Sequence, residues 1–229
     1  MLTCLFSLAV IDTIQISMFS VLELLIVPII TLFYFLLRKK KSLYFSLFLG
    51  CYSLADILHI IDGDNLYEIF YFACNILYVI SFFFLILEIF KTLNVKVLFK
   101  KFLVQTIVLA MLIIYLFTVL SGIIDPVLFE TKVLSLVRVV EHGYNLMLLI
   151  MLAASFLNFL ENDTTKSLYL FIGCLSLSFS EFILIGYYYL TELEILSYIA
   201  TFLNVFAFII FYLQSNLVVG VKKKSNAFV

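Results

Sequence analysis

Tryptophan is absent from this chain, so tyrosine and phenylalanine must supply any aromatic belt at a membrane surface. Charged residues are scarce, at 13% against 65% hydrophobic, and mean hydropathy reaches +1.22. No soluble domain of 229 residues has such a composition, which leaves a polytopic membrane protein. A formal net charge of -1 argues against nucleic acid as a partner. There are two histidines and no HxxxH or HExxH spacing, so convergent zinc ligands are not expected. Asp56, His59, His142 and Glu181 are the one set zinc could draw on, and it is disfavoured; no metal and no cofactor is expected. No GxSxG elbow is present, and no lysine sits in the middle of the last apolar span, which excludes a retinal Schiff base. None of the four cysteines, Cys4, Cys51, Cys74 and Cys174, forms a CxxC pair, and they are expected to act as small buried hydrophobes. The first residues, MLTCLFSLAV, lack a basic start and a small-residue cleavage site before Asp12, so they are not read as a removable signal.

Long apolar runs are what the chain does have, and they predict an all-α fold of seven transmembrane helices. The spans are expected at about Ile14–Leu37, Ser42–Ile61, Leu66–Phe90, Phe102–Ile123, Val133–Leu160, Ser167–Leu190 and Ile195–Leu217. Connections are short and the last residues, Val221–Val229, are few, so residues 1–229 form a single transmembrane domain with no room for a soluble one.

Basic residues set the orientation. Arg38, Lys39, Lys40, Lys41, Lys91, Lys96, Lys100, Lys101, Lys166, Lys222, Lys223 and Lys224 follow the odd spans, twelve of the fourteen Lys and Arg. The opposite connections carry Asp62, Asp64, Glu68, Asp125, Glu130, Glu192 and Glu194, with only Lys132 in balance. This predicts a multi-pass protein of the cell (cytoplasmic) membrane, its N-terminus outside and its C-terminus cytoplasmic.

A weak internal repeat is suggested. Ser42-Leu43-Tyr44 opens span two and Ser167-Leu168-Tyr169 opens span six; without a gap Ser53 then aligns with Ser178 and Asp56 with Glu181, at a constant offset of 125 residues. Halves of about 14–90 and 133–217 would be parallel repeats joined by a linker helix at about 102–123, a 3+1+3 arrangement. Both acids then lie fourteen residues past the inner edge, roughly 21 Å up a helix. Measured from their outer ends, Glu23, Asn75, Arg138, Glu141, His142 and Asn204 all fall roughly 8–16 Å deep. Glu88, next to Lys91, is expected at the interface. The polar groups therefore suggest a pocket opening to the outer face.

Asp56 and His59 form an i, i+3 pair; they either satisfy each other in a packed bundle or line a wet cavity, the default reading for acids in a membrane. Arg138, Glu141 and His142 share one face, with Arg138 either paired to Glu141 or free to hold a phosphate. Asn75 and Asn204 are interhelical hydrogen bonders or ligands, and Tyr187-Tyr188-Tyr189 suits an interfacial belt.

The run LELLIVPIITLFYFLLRKKK, then LFLGCYSLADILHI and FACNILYVISFFF, resembles the start of the YhhN (lysoplasmalogenase-like) membrane family. GYNLMLLIMLAAS and TTKSLYLFIGCLSLSFSEFILIGYYYL resemble its second half, so the resemblance covers about Leu22 to Gln214. The chain departs from that pattern at Val27-Pro28 in place of Lys-Pro, Ala55-Asp56 in place of Gly-Asp, Ser180-Glu181 in place of Ser-Asp, and Asn75 in place of a histidine ahead of Tyr78. The resemblance implies hydrolysis of the vinyl-ether bond of lysoplasmalogens, a lipid or lysophospholipid substrate met within the membrane. Asp56 and Glu181 would be the catalytic pair, with His59, Asn75, Tyr78, Arg138 and His142 around the substrate. The residues suit that chemistry, which needs a protonated acid and an anionic partner, as in glycosidases. Two other classes stay open: a non-catalytic seven-helix sensory or scaffold protein, and a proton-coupled small-molecule transporter. Oligomeric state is not encoded in any of these features.

Overall fold

Apolar stretches of about twenty residues satisfy their backbone groups internally only as helices when they cross lipid, and helices are what this chain forms. The computed structural model describes residues 18–38, 41–62, 68–124, 132–191 and 193–217, with the side chains of 18–23, 62, 68–69, 124 and 132–136 excepted. The expectations attached to Cys4, Glu23, Lys39, Lys40, Asp62, Asp64, Glu68, Asp125, Glu130, Lys132, Glu192 and Lys222–Lys224 lie outside those residues and side chains.

Eight helices are described: α1 Met18–Leu37, α2 Leu43–Asp62, α3 Glu68–Phe90, α4 Val95–Lys101, α5 Leu103–Ile124, α6 Lys132–Asn162, α7 Thr165–Tyr189 and α8 Glu194–Asn216. There is no strand among the described residues. Six of them, α2, α3 and α5 to α8, are long and apolar enough to cross a membrane; α1 contributes the shorter apolar stretch Leu24–Leu37. The expected spans match the helices within a few residues at each end. α4 was not expected: seven residues are too few for a hydrophobic period to show.

Local signals explain the boundaries. Asn94 caps α4, its side chain accepting from the backbone N–H groups of Lys96 and Val97. Thr164 opens α7 with a capping box completed by Ser167. Asp163 turns the chain between α6 and α7 at φ 46, a left-handed conformation that Asp tolerates better than most residues.

Neighbours run α1–α2–α3–α6–α7–α8 and back to α1, a closed ring of six helices. α5 packs on the outer side of α6, and only 6% of its membrane window is buried inside the molecule. The ring is filled by aromatic side chains. Phe48 of α2 stacks on Phe208 of α8 with centroids 5.9 Å apart, and Phe211 of α8 meets Phe45 and Phe48 edge-on. Gly173 of α7 lets Phe211 close: a Cβ there would come within 2.5 Å of the ring.

Polar ties hold the end that carries the basic residues. Ser42 donates to Glu88, which also pairs with Lys91 at 3.0 Å, and the Lys91 ammonium lies over the Tyr44 ring. Thr92 and Asn162 both donate to Asn158 at 2.8 Å, fastening the end of α3 to α6. Deeper in, Thr31 of α1 and Ser53 of α2 share a buried hydrogen bond of 2.6 Å.

Candidate functional site: a carboxyl–tyrosine cluster inside the ring

The buried stripe of α2 runs Phe45, Phe48, Leu49, Tyr52, Ser53, Ala55 and Asp56, the spacing of one helical face. Asp56 thus occupies a position that helix geometry assigns to the core, and it is only 3% exposed. On α7, the residues 125 further along are Leu170, Gly173, Cys174, Leu177, Ser178, Ser180 and Glu181, and each of them is buried too. Glu181 is 4% exposed. Leu54 and its counterpart Phe179 are both exposed.

Both acids are met by tyrosines. Tyr78 of α3 donates to Asp56 Oδ1 at 2.6 Å. The Tyr144 hydroxyl of α6 lies within electrostatic reach of Glu181. Tyr52, one turn before Asp56, lies within electrostatic reach of both Glu181 and Asp56, and its hydroxyl accepts from Asn204 of α8 at 3.2 Å. Its ring is wedged edge-on to Tyr78 and against Phe208, at centroid distances of 4.8 and 4.6 Å. Those contacts give it little freedom to turn away.

A third acid joins this group. Glu141 of α6 accepts from Tyr71 of α3 at 2.9 Å and lies within electrostatic reach of Glu181. The sequence left Glu141 as one half of a pair with Arg138; in the fold Glu141 is buried and Arg138 is exposed near the start of α6.

Several polar atoms here have no hydrogen-bond partner among the described residues: Glu181 Oε2, Glu141 Oε2, the Tyr144 hydroxyl, Ser178 Oγ, Asn145 Nδ2 and Asn75 Oδ1. Buried polar atoms are paired in roughly nine cases out of ten, so such a concentration marks an interior suited to water or a polar ligand group.

The other expected site residues divide. Asn75 is fully buried, one turn from Tyr78, and donates to Tyr71 O within its own helix at 2.8 Å. His59 is half-buried, one turn beyond Asp56. His142 packs edge-on to Phe117 of the peripheral α5, with centroids 5.8 Å apart. The fold therefore gathers Asp56, Tyr78, Asn75 and Glu181 about the interior and sets Arg138 on the surface. Tyr52, Tyr71 and Tyr144 were missed: nothing in a chain of fourteen tyrosines singles them out except their spacing from an acid. Cys51 is half-buried, Cys74 and Cys174 are buried, and Cys74 donates to Ala55 O at 3.6 Å. Among the described residues no three His, Cys, Asp or Glu side chains converge to hold a metal ion.

No family model, curated protein or solved structure matches this chain.

Proposed function

We propose that this protein is a seven-span hydrolase of the YhhN (lysoplasmalogenase-like) kind, cleaving the vinyl-ether bond of lysoplasmalogens inside the membrane. What supports this most is that Asp56 and Glu181, from separate helices, are both buried in one ring with Tyr52 in electrostatic reach of each. α1 is the seventh span, the N-terminus lies outside and the C-terminus in the cytoplasm of a cell-membrane protein. Residues about 14–90 and 133–217 are parallel repeats, a reading supported by the matched buried faces of α2 and α7.

The reaction adds water across the enol ether, R–CH=CH–O–R′ + H2O giving R–CH2–CHO and HO–R′. Protonation of the alkenyl carbon forms an oxocarbenium ion; water then attacks, loses a proton, and the hemiacetal breaks into aldehyde and alcohol. A carboxylate that accepts a phenol hydrogen is served as an anion, so Asp56 with its Tyr78 bond takes the base and cation-stabilising role. Glu181, whose Oε2 has no donor among the described residues, takes the acid role. The aromatic interior suits the alkenyl chain, and Arg138 at the rim suits a phosphate.

The test is aldehyde release from a lysoplasmalogen by the purified protein in nanodiscs. Wild type is expected to be active, with Asp56→Asn and Glu181→Gln each reduced by about 10²-fold or more. A well-folded wild type that releases no aldehyde overturns the reading. The matched faces of α2 and α7 favour a second reading, a proton-coupled transporter working between repeats; substrate-driven proton uptake into vesicles, lost in Asp56→Asn, would select it.

A further inference from the structure

α4 is too short to cross anything, and its surface differs from that of every other helix described here. Leu98 anchors it, buried in a cluster with Leu93 and Leu157 at the basic end of the ring. Its first turn is fixed by the Asn94 cap, and the Asn94 N–H is itself bonded to Glu161 of α6 at 2.8 Å. What remains outward is sorted by helical spacing. Val95 and Phe99, 45% and 56% exposed, form one stripe four residues apart, Lys96 and Lys100, both exposed, form the adjacent stripe, and Val97, 38% exposed, flanks the lysines on their other side. Lys101 follows, its ammonium over the Phe102 ring.

Two like charges at i, i+4 repel each other. Neither Lys96 nor Lys100 has an ion-pair partner among the described residues, and α4 itself carries no acid. An apolar stripe beside a cationic one is how an interfacial helix lies in a leaflet, its apolar side chains below the headgroups and its ammonium groups at the phosphates. Covering by a protein partner would leave the lysines to be matched by acids that partner must bring; the phosphates of a leaflet supply that charge on every side. We infer that α4 is a docking surface for anionic phospholipid headgroups, Lys96 and Lys100 engaging their phosphates while Val95 and Phe99 seat the helix in the acyl boundary. Attraction of about 1 kcal/mol per lysine near a surface is enough to enrich anionic lipid locally several-fold.

The absence of tryptophan makes the test direct. Phe99→Trp in the otherwise native chain gives a single indole at this surface. The protein is placed in phosphatidylcholine nanodiscs containing a minor fraction of phosphatidylglycerol, with the bromine label on one lipid or the other in turn. Brominated phosphatidylglycerol is expected to quench the indole at least about twofold more than brominated phosphatidylcholine at equal fraction. Raised salt should remove the preference in this same protein. Adding Lys96→Gln with Lys100→Gln should abolish it, and adding Lys96→Arg with Lys100→Arg should keep it. Equal quenching by the two lipids at low salt, or quenching only by bromines at the bilayer centre, overturns the assignment.

Discussion

Tyr78 of α3 donates a 2.6 Å hydrogen bond to the buried Asp56 of α2, twenty-two residues earlier in the chain. Polar pairs between helices in a membrane are worth about 0.6 kcal/mol on average and up to about 1.7 kcal/mol. Tyr78→Phe should therefore lower thermal stability only modestly. If Asp56 is the catalytic anion, the same change should lower aldehyde release far more than the stability loss explains. Parallel measurement of the unfolding midpoint and of kcat separates the two effects.

Tyr52 makes a different prediction, because it lies within electrostatic reach of both acids while its ring packs against Tyr78 and Phe208. Tyr52→Phe keeps that packing and removes only the oxygen. The unfolding midpoint should stay close to wild type, whereas turnover should fall by about tenfold or more. Tyr52→Leu should damage both, since it also removes the ring contacts. Equal turnover in Tyr52→Phe and wild type would show that this hydroxyl has no part in the chemistry.

Gly173 offers a test of packing alone. A methyl group at this position would enter the Phe211 ring, and overpacking of this kind costs about 1–3 kcal/mol. Gly173→Ala is expected to destabilise by that amount in a denaturant titration. Phe211→Leu in the same chain should restore part of the loss, since the two effects share one contact. Losses that simply add would mean α7 and α8 shift rather than clash.

At the basic end, Asn158 is almost fully buried and accepts from both Thr92 and Asn162. Asn158→Ala removes this shared acceptor while Thr92 and Asn162 keep their bonds to Ile89 O and Thr92 O, so the cost should be about 1 kcal/mol. Limited proteolysis should then cut faster between α3 and α4, where the backbone depends on this tie.

The helices were largely legible before any coordinates, because long apolar runs leave the chain no other way to satisfy its backbone in lipid. That Asp56 and Glu181 stand 125 residues apart was legible too, and the seven buried residues named on α2 each have a buried counterpart at that offset on α7. What escaped was whatever depends on ring closure. Tyr144 reaches Glu181, and Tyr71 reaches Glu141, only once α6 has been brought between α3 and α7. Arg138 and Glu141 share a stretch of sequence, yet the ring turns one outward and the other inward. α4 escaped for a simpler reason: one anchoring leucine in seven residues sets no period.

The position of α5 outside the ring carries a topological consequence. If α1 is the seventh span, as proposed, α1 to α3 leave the chain on the far side from where it began, so a second trio entering directly would sit upside down relative to the first. In that arrangement α5 would restore the heading, and that errand asks nothing of the helix but length and greasiness. Severed on both sides of α5 and made as two polypeptides in one cell, the trios would still own every surface by which they clasp each other.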